Sequence, residues 1–530
     1  MRPAQPSACV RRTPAAWTCG SACCPCWRTG DGGTAWRSGR ASAADPPPRR
    51  RSRATSPPCC LRRRPVPPES VTPFVPGARV HFVGVGGAGM CGLAEAMARA
   101  GYTVTGSDLL LGPSVDALRA LGVRLYQGHA AEHVGDATLV VRTAATDARN
   151  PEVAEAEARG VPVLKRAEAL GRWVARGRVV AVAGTHGKTS TTTMITGVLA
   201  EAGLDPTAFV GGAVRAWGGN YRAGADRLFV VEADEYDRSF LHLDPDVAVV
   251  TNVEADHLDI YGDEEGVHAA FGAFLGRVRG DGTVVACADD PGARAVVQGR
   301  ADAVTYGRSE GATLHVADVE RTADGTRFTV RERGAAPEPL QIRVPGLHNV
   351  LNATAAAAAA RALGVPWDAV RRGLAGYTGV GRRFERVGSA AGVDVLDDYA
   401  HHPTEVRATL DALRQAFPER RLVVVFQPHL FSRTRDFHDA FGAALAGADV
   451  VWVTDVYPAR EQPLPGVTGA LVADSTREHA TGPVHYHAEL ATLPEAVART
   501  LVPGDVCVTL GAGSIETVGS RLVRLLKEES

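Results

Sequence analysis

Lysine is almost missing from this chain of 530 residues: Lys165, Lys188 and Lys527 are its only three, and arginine supplies the rest of a Lys+Arg total of 58. A lysine in the interior therefore stands where arginine is the default, and its position is worth inspecting. Long apolar runs are missing too. No stretch of about 18 apolar residues suggests a membrane span. Charge of one sign does not dominate: the formal net charge is -1, so nothing global pulls the chain toward nucleic acid or a membrane surface. Cysteine is sparse after Leu61, where only Cys91, Cys287 and Cys507 remain. Scattered single cysteines argue for a reducing, cytoplasmic setting and against a disulfide framework. No Ser-His-Asp or Cys-His pattern points to a nucleophilic side chain.

The length predicts about three domains. Residues 1–73 do not resemble the rest. They are basic and rich in Arg, Pro, Ala, Ser and Cys, without helical or strand periodicity, and read as disordered or as a wrongly assigned start with translation beginning near Val71. Cys19, Cys23, Cys24 and Cys26 lack a second Cys/His pair at zinc-finger spacing.

From Arg79 onward, short β-branched strands alternate with Ala/Leu-rich helices, the pattern of parallel α/β layers. Strands are predicted at 79–83, 102–106, 137–142, 178–183, 228–231 and 247–250. Four more follow a flexible link at Gly379-Val380-Gly381, at 393–396, 421–426, 450–454 and 506–510. A new strand-turn-helix unit at Arg178 and the link near Gly381 divide the chain into 74–177, 178–380 and 381–530.

Two glycine motifs carry chemistry. Gly84-Val85-Gly86-Gly87-Ala88-Gly89 follows a strand, opens a helix and fits G-x-G-x-x-G. Such glycines let a pyrophosphate approach the backbone at a helix N-terminus, and Asp108 ends the next strand where a ribose-binding carboxylate belongs. The motif alone leaves open a nicotinamide dinucleotide, a UDP-sugar, or a tight turn without ligand. The second motif, Gly184-Thr185-His186-Gly187-Lys188-Thr189-Ser190, is a G-x-x-G-K-T loop two residues shorter than a Walker A sequence. Its amides would cradle phosphates, Lys188 would neutralise β/γ oxygens, and the Thr189 hydroxyl would face Mg²⁺. The scarce lysine sits in the one place where this chemistry asks for it.

With Glu232-Ala233-Asp234-Glu235 and Asn252-Val253-Glu254-Ala255-Asp256-His257 each after an apolar strand, the Gly-Thr-His-Gly-Lys-Thr loop resembles the ATP loop of the Mur ligases and their folylpolyglutamate synthase relatives. The resemblance runs from about Arg79 to the C-terminus. It implies a Rossmann-like UDP-sugar domain, a central P-loop ATPase-like domain and a Rossmann-like amino-acid domain, all α/β. It also implies magnesium at Thr189, Glu232 and His257, ATP along residues 184–190, and adenine near His348, Asn349 and Asn352. Helix capping is the plain alternative for those asparagines. By the same resemblance, Lys188, Glu232, His257 and Arg383 are catalytic. Gly84, Gly86, Gly87, Gly89 and Asp108 would hold the UDP-sugar. His401, His402, His429 and Arg433, in a loop region suited to an amino-acid carboxylate, would complete the substrate site. Many family members carry arginine where this chain has Leu430, so that contact does not carry over.

Several Mur ligases carry a carbamylated lysine downstream of the magnesium-binding histidine. Here only Lys527 follows Lys188, which resembles the alanine-adding branch. The implied reaction joins L-alanine to UDP-N-acetylmuramate in peptidoglycan synthesis, with ATP and Mg²⁺, through an acyl phosphate, in a monomer or homodimer that binds neither nucleic acid nor membrane. The nearest alternative is a recycling ligase that adds a murein tripeptide to the same sugar. A nicotinamide dehydrogenase would leave the second loop unexplained, and a non-catalytic nucleotide-binding regulator would release no phosphate.

Overall fold

Runs such as RVVAVA at Arg178–Ala183 and VAVV at Val247–Val250 offer no polar face, so they are stable only where both sides of a strand are covered. In the computed structural model, which describes residues 74–528 except Pro76, Ala323, Asp324 and Arg460, these two strands pair in parallel with Val247 opposite Val180. The readings made for residues 1–73 lie outside the described part.

Three sheets follow one another along the chain. The first has five parallel strands in the order Arg124–Gln127, Thr103–Asp108, Arg79–Val83, Leu139–Arg142, Val163–Lys165. Its order reverses beside Arg79–Val83, which places the glycine motif at a switch point where open α/β sheets bind ligands. The second sheet has ten strands. Its parallel centre sets Arg178–Ala183 between Leu228–Glu232 and Val247–Val250. Antiparallel ribbons, 207–214 with 219–222 and 314–322 with 325–332 and 338–342, close its two edges. The third sheet has six strands, with Val506–Leu510 between Val393–Asp398 and Leu422–Phe426.

The expected strands 79–83, 178–183, 247–250 and 506–510 form with those bounds, and the others shift by one or two residues at their ends. The edge ribbons, whose longest strand is the nine-residue Leu314–Thr322, were not anticipated. The glycine link is packed instead of loose: Val380 is buried and Gly381 N–H donates to the Ala213 carbonyl at 3.1 Å.

One apolar core runs through the first two sheets. The helix Ala88–Arg99 packs on the ribbon 207–222 of the second sheet, and Gly92 leaves room for Tyr221. The third sheet has its own core on each face. Just after the acidic run 232–235, Phe240 is fully buried, edge-on to Phe271 at 5.2 Å and stacked on Phe274 at 5.1 Å. Phe240→Ala is expected to destabilise the central sheet by about 3–5 kcal/mol, read as a lower midpoint in denaturant unfolding. An unchanged midpoint would mean that other contacts anchor the acidic run.

Candidate active site

The G-x-x-G-K-T loop leaves the strand Arg178–Ala183 and enters the helix Lys188–Glu201. Gly187 has φ +80, and a side chain there would meet the Asn352 amide at 2.6 Å, so glycine is required both by backbone and by space. The loop is held from outside: Thr251 Oγ1 donates to the His186 carbonyl at 2.6 Å, and the His186 N–H donates to Asn252 Oδ1 at 2.7 Å. Lys188 turns its ammonium onto the loop carbonyls of Gly184 (2.6 Å) and Thr185 (3.1 Å) and pairs with Glu235 at 2.8 Å. Burial opposes its charge, but Glu235 and Asp234 outweigh burial and hold its pKa above the ordinary lysine value. Burial also pushes the Glu235 carboxyl up to about 7 despite the nearby ammonium.

Beside the lysine, Thr189 Oγ1 donates to Glu232 at 2.9 Å, and Glu232 also accepts from the Gly211 N–H at 2.6 Å. Glu232 is raised by its burial, with those hydrogen bonds opposing. His257 stands across a cavity of about 710 Å³ that Lys188, Thr189, Glu232, Arg383 and His401 also line. Its backbone is left-handed at φ +55, an uncommon state for a side chain of this size, and its imidazole is held below its usual pKa by burial. Oxygen donors at Thr189 and Glu232 with a neutral imidazole nearby make a donor set that suits a small divalent cation.

A second cavity, of about 140 Å³, lies on the far side of the loop between Gly187, Asn252, His348, Asn349, Asn352 and Tyr377. Asn349 does not cap its helix. Its Nδ2 donates to the Pro345 carbonyl at 2.7 Å, and the N-cap position is Gly346. Burial, with Arg383 near, lowers the His348 pKa to about 4. Arg383 pairs with Glu405 at 3.1 Å where the two cavities meet.

The third sheet brings its residues in from above. Arg433 places both oxygens of Asp256 within reach, at 2.7 and 3.0 Å, with only 5% of its side chain exposed. It is thus engaged by the central domain. His401 faces the larger cavity and lies edge-on to His429, which stacks on Tyr457. His402 instead turns inward, its ring 4.8 Å from that of His186. In the first sheet, Gly84 has φ +82, and Asp108 Oδ2 accepts from the Gly86 N–H at 2.8 Å, so this carboxylate ties the glycine loop down. Sequence reasoning passed over Glu235, Glu254, Asp256 and Glu405, the partners of the cations it chose. The run Glu254-Ala255-Asp256 beside His257 was the available signal.

His186 bridges two domains, 3.6 Å from Glu254 and 3.3 Å from Glu405. Burial would lower its pKa, but Glu405 and Glu254 raise it to about 9, while burial and the His186 charge lower His402 to about 4. A folded-state pKa raised above the ordinary 6.5 adds stability that is complete below that pH and disappears as pH rises through about 9. Without nucleotide, proteolysis at the 379–381 junction is expected to quicken over that range in the natural protein and to stay flat in His186→Gln. A flat profile in both would sink this link. For the Asp256–Arg433 pair, Arg433→Met alone is expected to cost about 3–5 kcal/mol. Arg433→Met with Asp256→Asn should cost less than the sum of the single changes, as a double-mutant cycle measures.

Comparison with known proteins agrees with this arrangement. Residues 79–178 match the model of the Mur ligase family catalytic domain, 182–360 the Mur ligase middle domain, and 382–513 the Mur ligase glutamate ligase domain. The UDP-N-acetylmuramate–L-alanine ligase of Salinibacter ruber is 46% identical over 453 residues, 85% of this chain and 95% of the relative. The enzyme of that name from Thermobifida fusca is 47% identical over 462 residues, 84% of this chain and 96% of the relative. Among solved structures, the UDP-N-acetylmuramate–alanine ligase of Thermotoga maritima superposes with a TM-score of 0.73 at 30% identity, covering 85% of this chain and all 100% of its own. A murein peptide ligase from Psychrobacter arcticus reaches 0.63 at 25% identity, over 85% of this chain and 99% of its own. With phosphate-loop lysine, carboxylates and histidine gathered around one cavity, and with identity this high over nearly the full length of its relatives, the chain belongs to the Mur ligase family.

Proposed function

We propose that this enzyme is an ATP-dependent ligase that forms the amide bond between L-alanine and the lactyl carboxylate of UDP-N-acetylmuramate, a step of peptidoglycan synthesis, in the cytoplasm. The single observation that carries this reading is the meeting of Lys188, Thr189, Glu232, His257, Arg383 and His401, from two domains, around one cavity of about 710 Å³. The domain limits we assign are 74–177 for the UDP-sugar, 178–380 for ATP and 381–530 for the amino acid.

In the reaction, a carboxylate oxygen of the sugar bonds to the γ-phosphorus as the bond from that phosphorus to the ADP oxygen breaks. The amine of alanine then bonds to the carbonyl carbon of the acyl phosphate, phosphate leaves, and the amine loses its proton. Lys188 is suited to the first step: its charge is secured by Glu235, and exchanging loop carbonyls for phosphate oxygens takes only a turn of its side chain. Loop amides hold the phosphates in place. Thr189, Glu232 and His257 would hold Mg²⁺, which supplies charge neutralisation on the phosphoryl oxygens. His348, Asn349 and Asn352 line the smaller cavity, whose apolar and amide character suits adenine. Arg383 reaches both cavities and is placed to steady transferring phosphate once it exchanges Glu405. His401 lines the cavity with His429 edge-on to it, and the two would orient alanine. His402 and Arg433 act at one remove in this reading, holding the third domain against His186 and Asp256. Closure of the domains around this cavity would keep water from an acyl phosphate that it would hydrolyse.

Phosphate release from Mg-ATP is expected to need both UDP-N-acetylmuramate and L-alanine. Release with the L-Ala-γ-D-Glu-meso-diaminopimelate tripeptide but not with alanine would assign the recycling reaction instead. Lys188→Ala is expected to lose several kcal/mol of transition-state stabilisation, about 10²-fold or more in rate. Retained turnover would remove Lys188 from the mechanism. His257→Ala should shift the Mg²⁺ titration of the rate upward while the affinity for the sugar nucleotide stays put.

A further inference from the structure

Nearly every cation around the site already has a carboxylate: Lys188 has Glu235, Arg383 has Glu405, Arg433 has Asp256, and Lys165 has Asp237 at 2.9 Å. Arg166 differs. It is the first residue of the helix Arg166–Val174 and is half-buried, yet among the described residues nothing pairs with its guanidinium. The side chain lies across the first turn of the helix that follows the first glycine loop. A Cβ on Gly89 would stand 3.0 Å from Nη1 and 3.1 Å from Cζ. The same side chain lines a cavity of about 230 Å³ together with Gly89, Gly211, Asn220, Glu232 and Asp234. Glu232 shares that space but directs its oxygens to Thr189 and Gly211. A half-buried guanidinium with no acceptor of its own keeps its N–H donors for an anion that enters this cavity.

We infer that Arg166 binds the diphosphate of the UDP-sugar, from the side of the glycine loop that faces the central domain. Its fork of N–H donors matches phosphate oxygens two at a time, which a lysine at the same place would not. Gly89 has a second duty in this arrangement, since any side chain there would push the guanidinium away. The inference rests on the reading of the first glycine loop as the UDP-sugar site, and it adds a ligand from the strand-to-helix corner at 165–166, outside the glycine motif.

The test is calorimetric titration of the full chain, without ATP, with UDP-N-acetylmuramate and with UDP. ADP binding and thermal midpoint report that each variant is folded. Arg166→Met is expected to weaken both uridine ligands about tenfold or more, Arg166→Lys less, with ADP affinity unchanged. Gly89→Ala, which displaces the guanidinium without removing it, should reproduce the loss. Equal affinities in Arg166→Met and the natural protein would overturn the inference. So would a loss confined to UDP-N-acetylmuramate, because the guanidinium would then meet the lactyl carboxylate. If the natural protein binds ADP but neither uridine ligand, the reading of the first glycine loop itself fails.

Discussion

Four carboxylates, Glu232, Asp234, Glu235 and Asp256, gather at the carboxyl end of the central sheet, and buried negative charge of this density persists only where cations answer it. Lys188 answers Glu235 from within the phosphate loop, and Arg433 answers Asp256 from the third domain. The position of the third domain is thereby tied to the electrostatics of the nucleotide site. The same density explains why a triphosphate should not enter alone. An anion approaching anions needs a cation between them, and in the proposed reading the oxygens of Thr189 and Glu232 would share one.

Much of this was legible in the sequence because the chemistry is local. A glycine loop between a strand and a helix fixes where phosphates go, and a lone lysine in an arginine-rich chain announces its own importance. Glu232 ends one apolar strand of the central sheet, and His257 lies in the loop that follows another. What remained hidden depends on distance in the chain. The salt links His186–Glu405 and Asp256–Arg433 join residues far apart in sequence, and nothing in periodicity pairs them. Arg166 follows a three-residue strand and opens an ordinary helix, so no motif marks it. The ribbons at the edges of the central sheet were missed for a different reason: Thr207–Val214 is buried for four residues and then turns to two glycines, and Leu314–Thr322 is open to solvent over its second half, so neither alternates throughout.

Four of the eleven described non-glycine residues with positive φ stand at this place. His257, Arg382, Phe384 and Leu430 all adopt left-handed φ values between 51 and 69 degrees, and each lies at the site or at the junction that leads to the third domain. Non-glycine residues hold such conformations only where surrounding contacts over-determine them. Arg382 is fixed by Asp397 and by the Gly511 carbonyl, and the Phe384 N–H by Asp398, so the junction is shaped by specific hydrogen bonds and not by glycine alone. A sequence reading that sees two glycines and infers slackness misses this, because the constraint comes from partners in the third sheet.

The continuity of the apolar core has a bearing on how such proteins can be recombined. The core that begins at Phe74 passes through Trp173 and Leu170 into the central sheet and ends at Val380, whereas the residues packed around the third sheet form clusters of their own. An exchange of the third domain with that of a relative would sever polar links and leave the buried cluster of the first two sheets whole. An exchange of the first domain would cut through the middle of a hydrophobic interior and would need the seam at Gly92 and Tyr221 to be refitted. In physical terms the third domain is the interchangeable part, and the first two share a single interior.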